Sequence, residues 1–111
     1  MARVIHGAAS ALTPVGSICG ARITGRDGQP IGSITELMIE DGSGRIAYAA
    51  VSVGGLLGVG ERLFAVPWAA FSIDPKHGQF SLPMTRADLE ATAGFDQDAW
   101  PINSDPALSV R

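Results

Sequence analysis

The sequence predicts a mainly β fold: a small antiparallel β-barrel of about six strands, with one short C-terminal helix and an extended tail. Three observations lead there. Of the 111 residues 14 are glycine and 7 proline, with 46% hydrophobic and only 17% charged, which suits a turn-rich strand fold better than a helical bundle. Apolar residues come in short runs separated by Asp-Gly and Gly-rich turn signals. Only one stretch, after Met84, carries both a helix start and a helix stop. At this length there is room for one domain and its tails. The expected division is an N-terminal arm over residues 1–14, the barrel over 15–95 and a C-terminal tail over 96–111.

Met1 to Pro14 shows neither helical nor strand periodicity, so it reads as an arm with at most a short strand or helical turn. Ser17 to Thr24 carries apolar Ile18, Ala21 and Ile23 and is the first strand. Asp27-Gly28 closes it, because Asp-Gly supplies the positive φ of a tight hairpin. In the second strand the apolar residues fall at Ile31, Ile34, Leu37 and Ile39. Two spacings of three and one of two fit a bent strand with a bulge better than a helix, since Gly32, Ser33 and Thr35 are weak helix formers. After the turn Asp41-Gly42-Ser43-Gly44, Arg45 to Val53 is apolar at both parities, so both its faces must be covered.

A fourth strand, Arg62 to Val66, is closed by Pro67, which belongs at a strand end or an edge. Ser72 to Asp74 and Gln79 to Leu82 make a last short hairpin around Pro75-Lys76-His77-Gly78. Thr85 with Asp88 three residues on forms a capping box, Met84 can staple onto Leu89, and Gly94 is the expected end of that helix. The remainder carries two prolines and no period. It is expected to lie extended over the domain, anchored by Phe95 and Trp100.

The totals exclude some functions. Net charge is −3 with a pI near 5.1 and the eight basic residues are scattered, so no nucleic-acid partner is expected. The single cysteine, Cys19, cannot form an internal disulfide and is expected to be a buried small apolar residue. No run approaches membrane-spanning length and the N-terminus lacks a signal-peptide core, so no direct membrane span is expected and a cytoplasmic location is.

The order of these pieces resembles the PRC-barrel family, named for the cytoplasmic domain of the photosynthetic reaction-centre H subunit and shared with a ribosome-maturation factor. The residues that carry the resemblance are the Asp27-Gly28 turn, Pro30 to Asp41, and Arg45 to Trp68. The glycine loop followed by Ala65-Val66-Pro67-Trp68 is the most specific part. The tail motifs Phe95-Asp96, Trp100-Pro101 and Ser104-Asp105-Pro106 are similar to stand-alone bacterial members. The resemblance implies a non-enzymatic module that docks on other proteins or on itself, with no shared catalytic residue.

The candidate sites are weighed on that basis. Gly54 to Gly60 lacks the Gly-Lys-Ser/Thr ending of a phosphate loop, and Leu63 stands where a third fingerprint glycine would be needed. Its apolar Leu56, Leu57 and Val59 either cap the barrel's own core or form a protein contact. The expected interface is therefore Gly54, Gly55, Leu56, Leu57, Gly58, Val59, Gly60, Phe64 and Trp68, with the outer face of the third and fourth strands. His6 and His77 have no companions at metal-ligand spacing. Glu36 and Glu40 could mimic a glycosidase pair but read as solvated. Trp68 and Trp100 are anchors, and the Tyr48 hydroxyl suggests a barrel rim. No catalytic, cofactor or metal site is expected. The expected partner is a second copy, as a homodimer or higher homo-oligomer, or another protein. The alternatives are a small-molecule or nucleotide binder at the barrel mouth and a ribosome- or RNA-associated factor.

Overall fold

The computed structural model describes residues 5–6, 11–54, 62–74 and 77–109. The arm carries a two-stranded antiparallel ladder, β1 (Ile5–His6) with β2 (Ala11–Leu12). The main sheet has six strands: β3 (Arg22–Thr24), β4 (Pro30–Ile39), β5 (Ile46–Val53), β6 (Arg62–Pro67), β7 (Ser72–Asp74) and β8 (Gln79–Ser81). Their spatial order is β6-β5-β4-β3-β8-β7. One helix, α1 (Arg86–Glu90), follows β8. The expected mainly β barrel of six strands with one short helix is what the chain forms. Its sheet stops short of closure, with β6 and β7 at its two ends, joined through a 3₁₀ corner at Trp68–Ala70.

Two details of the strands differ from the expectation. The first strand is only Arg22–Thr24, because Val15–Ser17 winds into a 3₁₀ turn and Ile18 N–H donates to the Val15 carbonyl. Cys19 follows in that turn and is exposed, while its neighbour Ile18 takes the inward position. The second difference is that β3 and β8 pair in parallel, whereas the other sheet pairings are antiparallel. The first and last parts of the barrel meet there after the chain has travelled around it, so no hairpin turn dictates their relative direction.

β4 accounts for its own spacing. Against β3, Ile23 opposes Gly32 and Thr24 opposes Pro30, which leaves Ile31 as an extra residue. Against β5, Ile34 opposes Val51 and Glu36 opposes Ala50, which leaves Thr35 extra. Each extra residue shifts the inward phase by one. Ile31 and Ile34, three apart, are thereby both buried. The Thr35 hydroxyl is held by the Ala50 carbonyl at 3.0 Å.

The interior is filled from the odd residues of β5 (Ala49, Val51, Val53) and the even ones of β6 (Phe64, Val66), together with Ile23, Ile31, Ile34, Phe80, Leu82 and Leu89. Full burial of each large side chain contributes about 1.5–3 kcal/mol. The capping box is present: Thr85 N–H donates to the Asp88 carboxylate at 2.8 Å, and Asp88 N–H donates to the Thr85 hydroxyl at 3.2 Å. These Thr85 contacts, more than Arg26 at 3.7 Å, hold the Asp88 carboxyl below its ordinary pKa. Met84 and Leu89, the staple pair, are both in the core. The helix ends earlier than Gly94, at Glu90, where Thr92 turns its hydroxyl back onto the Leu89 carbonyl at 2.7 Å.

Gly32 gives a test of this packing. A Cβ there would run into the backbone carbonyl of Ser52 on the neighbouring strand, which cannot yield as a side-chain tip can. Gly42, in the Asp41 turn, has nothing within 4 Å of the same position. Denaturant unfolding is expected to show Gly32→Ala losing about 2–3 kcal/mol, and Gly42→Ala staying within about 0.5 kcal/mol of the parent.

Candidate interaction surface

The run Tyr48–Val53 is buried at every position. Its odd residues face the barrel interior. Its even residues, Tyr48 and Ala50, point to the opposite side with Leu63 and Ala65 of β6, where they are covered by the chain's own C-terminal segment. Past α1 the chain runs from Phe95 to Leu108 as a strap. Phe95 N–H donates to the Leu63 carbonyl at 2.8 Å and Asp105 N–H to the Ala65 carbonyl at 2.9 Å. Both acceptors lie on β6, whose outward edge would otherwise be left unpaired at the end of the sheet. Between these two points the Tyr48 hydroxyl donates to the Pro101 carbonyl at 2.7 Å. The strap then turns through a 3₁₀ segment, Pro106–Leu108, capped by the Asp105 carboxylate, and Leu108 enters the core.

Gly94 makes the entry into the strap. Its φ of +69° is left-handed, and a Cβ would stand 2.8 Å from the Leu63 carbonyl oxygen. Arg62 closes the same corner by donating to the carbonyls of Thr92 at 3.1 Å and Ala93 at 2.6 Å. Its guanidinium lies 5.1 Å from the Phe64 ring centre. A groove of about 340 Å³ runs along this corner past Asp96 and Gln97.

The predicted interface divides accordingly. Gly54 is exposed with a φ of +74°. Gly55, Leu56, Leu57, Gly58, Val59 and Gly60 lie outside the described residues. Phe64 sits in the core with 0% exposure, because its register opposite Val51 turns it inward. Trp68 is half-buried, with ring centres 5.3 Å from Phe71 and 6.3 Å from Phe80, as an anchor of the corner. The outer face of β5 and β6, expected as a contact surface, is occupied by the strap. Of the two expected anchors, Phe95 is half-buried and tied to β6 through its N–H, while Trp100 packs on the Phe95 ring, centres 5.0 Å apart, and stays exposed. Tyr48 is buried beneath it, not placed on an open rim.

What the strap leaves in solvent is not evident from the sequence. Ile102 is 90% exposed and Ile39 57%, and both line one groove of about 270 Å³ with Met38, Tyr48, Glu40 and Asp41. Trp100 is 37% exposed and lines an adjoining groove with Glu36. Alternation alone does not reveal this, because Ile39 lies at the last residue of β4 and Ile102 in a segment without period. Glu36 and Glu40 are both exposed. His77 is exposed as expected, its Nδ1 2.7 Å from the Asp74 carboxylate. Among the described residues no group of three or more His, Cys, Asp and Glu side chains is placed to hold a metal ion, and no helix is long and apolar enough to cross a membrane.

The PRC-barrel domain model matches residues 15–86, more than half of the chain, from the first 3₁₀ turn into α1. The chain belongs to the PRC-barrel domain family. The strap lies beyond the matched part of this PRC-barrel chain. No curated protein matches the chain.

Tyr48 reports on that cover. Burial raises its pKa above the ordinary value of 10.0. The unfolded chain therefore releases the phenol proton first as pH climbs, so this contribution to stability is complete below pH 10.0 and is lost as pH rises through the folded pKa. Because Tyr48 is the single tyrosine, absorbance titration of the folded protein reads it alone. Its midpoint is expected above 10.0 and to fall back towards that value when residues 95–111 are removed. A Tyr48→Phe variant is expected to lose about 0.5–1.5 kcal/mol with its hydrogen bond.

Proposed function

We propose that this PRC-barrel chain is a non-enzymatic protein-interaction module, acting by self-association or by docking on a protein partner. The observation that carries the reading is the exposure of Ile39, Trp100 and Ile102 along the strap, where three of the five exposed large hydrophobic side chains of the described residues gather. Scattered apolar residues are ordinary, but two that line a common groove with Met38 form a contiguous patch. The grooves that hold Ile102 and Trp100 are about 270 and 250 Å³, below the usual size of a small-molecule pocket. The glycine loop from Gly54 to Gly60, with Leu56, Leu57 and Val59, is the second contact surface of this proposal, on its sequence alone. A cytoplasmic location belongs to the same reading, supported by an exposed Cys19 thiol that has no disulfide.

Sedimentation velocity over a wide concentration range, together with affinity capture and reconstitution from purified components, tests this. Either a concentration-dependent oligomer or a stoichiometric complex is expected, weakened by Ile39→Ser with Ile102→Ser or by Leu56→Asp with Leu57→Asp. A chain that stays monomeric, forms no reconstituted complex and gains thermal stability from a small metabolite would overturn the proposal in favour of ligand binding.

A further inference from the structure

The groove between the β4–β5 turn and the strap carries a charge asymmetry as well as an apolar floor. Met38, Ile39, Tyr48 and Ile102 supply its apolar wall, and Glu40 and Asp41 its polar one. Neither carboxylate is in a salt bridge among the described residues. The turn holds the Glu40 backbone on both sides: its N–H donates to the Arg45 carbonyl at 2.8 Å and its carbonyl accepts from Gly44 N–H at 2.8 Å. Arg45, on the other arm of that turn, does not line the groove. The same sign continues along the strap, with Glu36 beside Trp100 in the adjoining groove and Asp96 and Asp98 exposed.

From these observations the geometry points to a docking site for a cationic, apolar segment of a partner protein, with an aliphatic or aromatic anchor set against Ile39 and Ile102 and flanking Lys or Arg facing Glu40 and Asp41. This rests on the reading of the chain as an interaction module and names the partner's chemistry. Two features argue for a cationic segment over a second copy of this chain. A copy presenting the same groove would bring a second Glu40 and Asp41 pair into the same contact with no basic residue lining the groove to meet them, and like charges gathered at an interface oppose association. A flanking Lys or Arg would meet unpaired carboxylates and gain both attraction and a steered approach. The apolar anchor would supply the larger share of the affinity, because it alone is fully desolvated.

Selection of a displayed random-peptide library on the immobilised chain tests the site whatever the partner's identity. Enriched peptides are expected to share an apolar residue flanked by Lys or Arg. A synthetic version of the leading peptide is expected to perturb the amide resonances of residues 38–41, 47–48 and 102–103. Ile102→Ser, at a position too exposed to unsettle the fold, is expected to weaken that peptide about tenfold or more. Glu40→Gln with Asp41→Asn is expected to weaken it several-fold and to flatten its salt dependence. The proposal is overturned by enrichment of acidic or uncharged peptides, by binding that Ile102→Ser leaves unchanged, or by a library that yields no binder to this face. Self-association that Ile102→Ser abolishes would also overturn it, while leaving the interaction reading intact.

Discussion

The structure depends on covering both faces of one strand. β5 is apolar at consecutive positions from Tyr48 to Val51, with Ser52 and Val53 buried after them, and a strand of that kind is stable in water only when each face has something against it. The barrel supplies one cover through Ile34, Phe64 and Val66. The strap from Phe95 to Leu108 supplies the other, and it does so while satisfying backbone groups on the outward edge of β6. A single segment thus hides apolar side chains, blocks an open sheet edge and plants Leu108 in the core.

This constraint shapes where function can reside. With the outer face of β5 and β6 covered, that side of the domain offers a partner the strap itself and the margins along it. There the apolar residues are Ile39, Trp100 and Ile102, and the charged ones on the groove walls beside them are acidic. The family domain ends its match in α1, before the strap begins. In this chain, then, the most exposed apolar side chain of the described residues lies on an element outside the matched domain.

Much of the fold is legible in the sequence because it is written in local chemistry. The spacing of Ile31, Ile34 and Leu37 is the direct imprint of the extra residues Ile31 and Thr35. Thr85 and Asp88 announce a capping box that forms with both its bonds. The nearly unbroken apolarity of β5 states that two covers exist, but it cannot say which segment provides the second. The strap is held by backbone N–H groups, one phenol and a late leucine, and none of these has a period. Phe64 reads as outward until its register with Val51 is known, and Cys19 reads as inward until the 3₁₀ turn that rotates it away from the core is seen. The groove at Ile39 and Ile102 joins positions far apart in sequence, which only the path of the strap brings together.

Hydrogen exchange at single amides tests the double cover most directly. The account predicts that the Phe95 and Asp105 amides, which donate to Leu63 and Ala65 on β6, exchange far more slowly than freely solvated amides, alongside those of Tyr48 to Val53. Exchange of Phe95 and Asp105 at the rate of an unstructured chain, while the β5 amides stay protected, would contradict it: the strap would then not be the second cover.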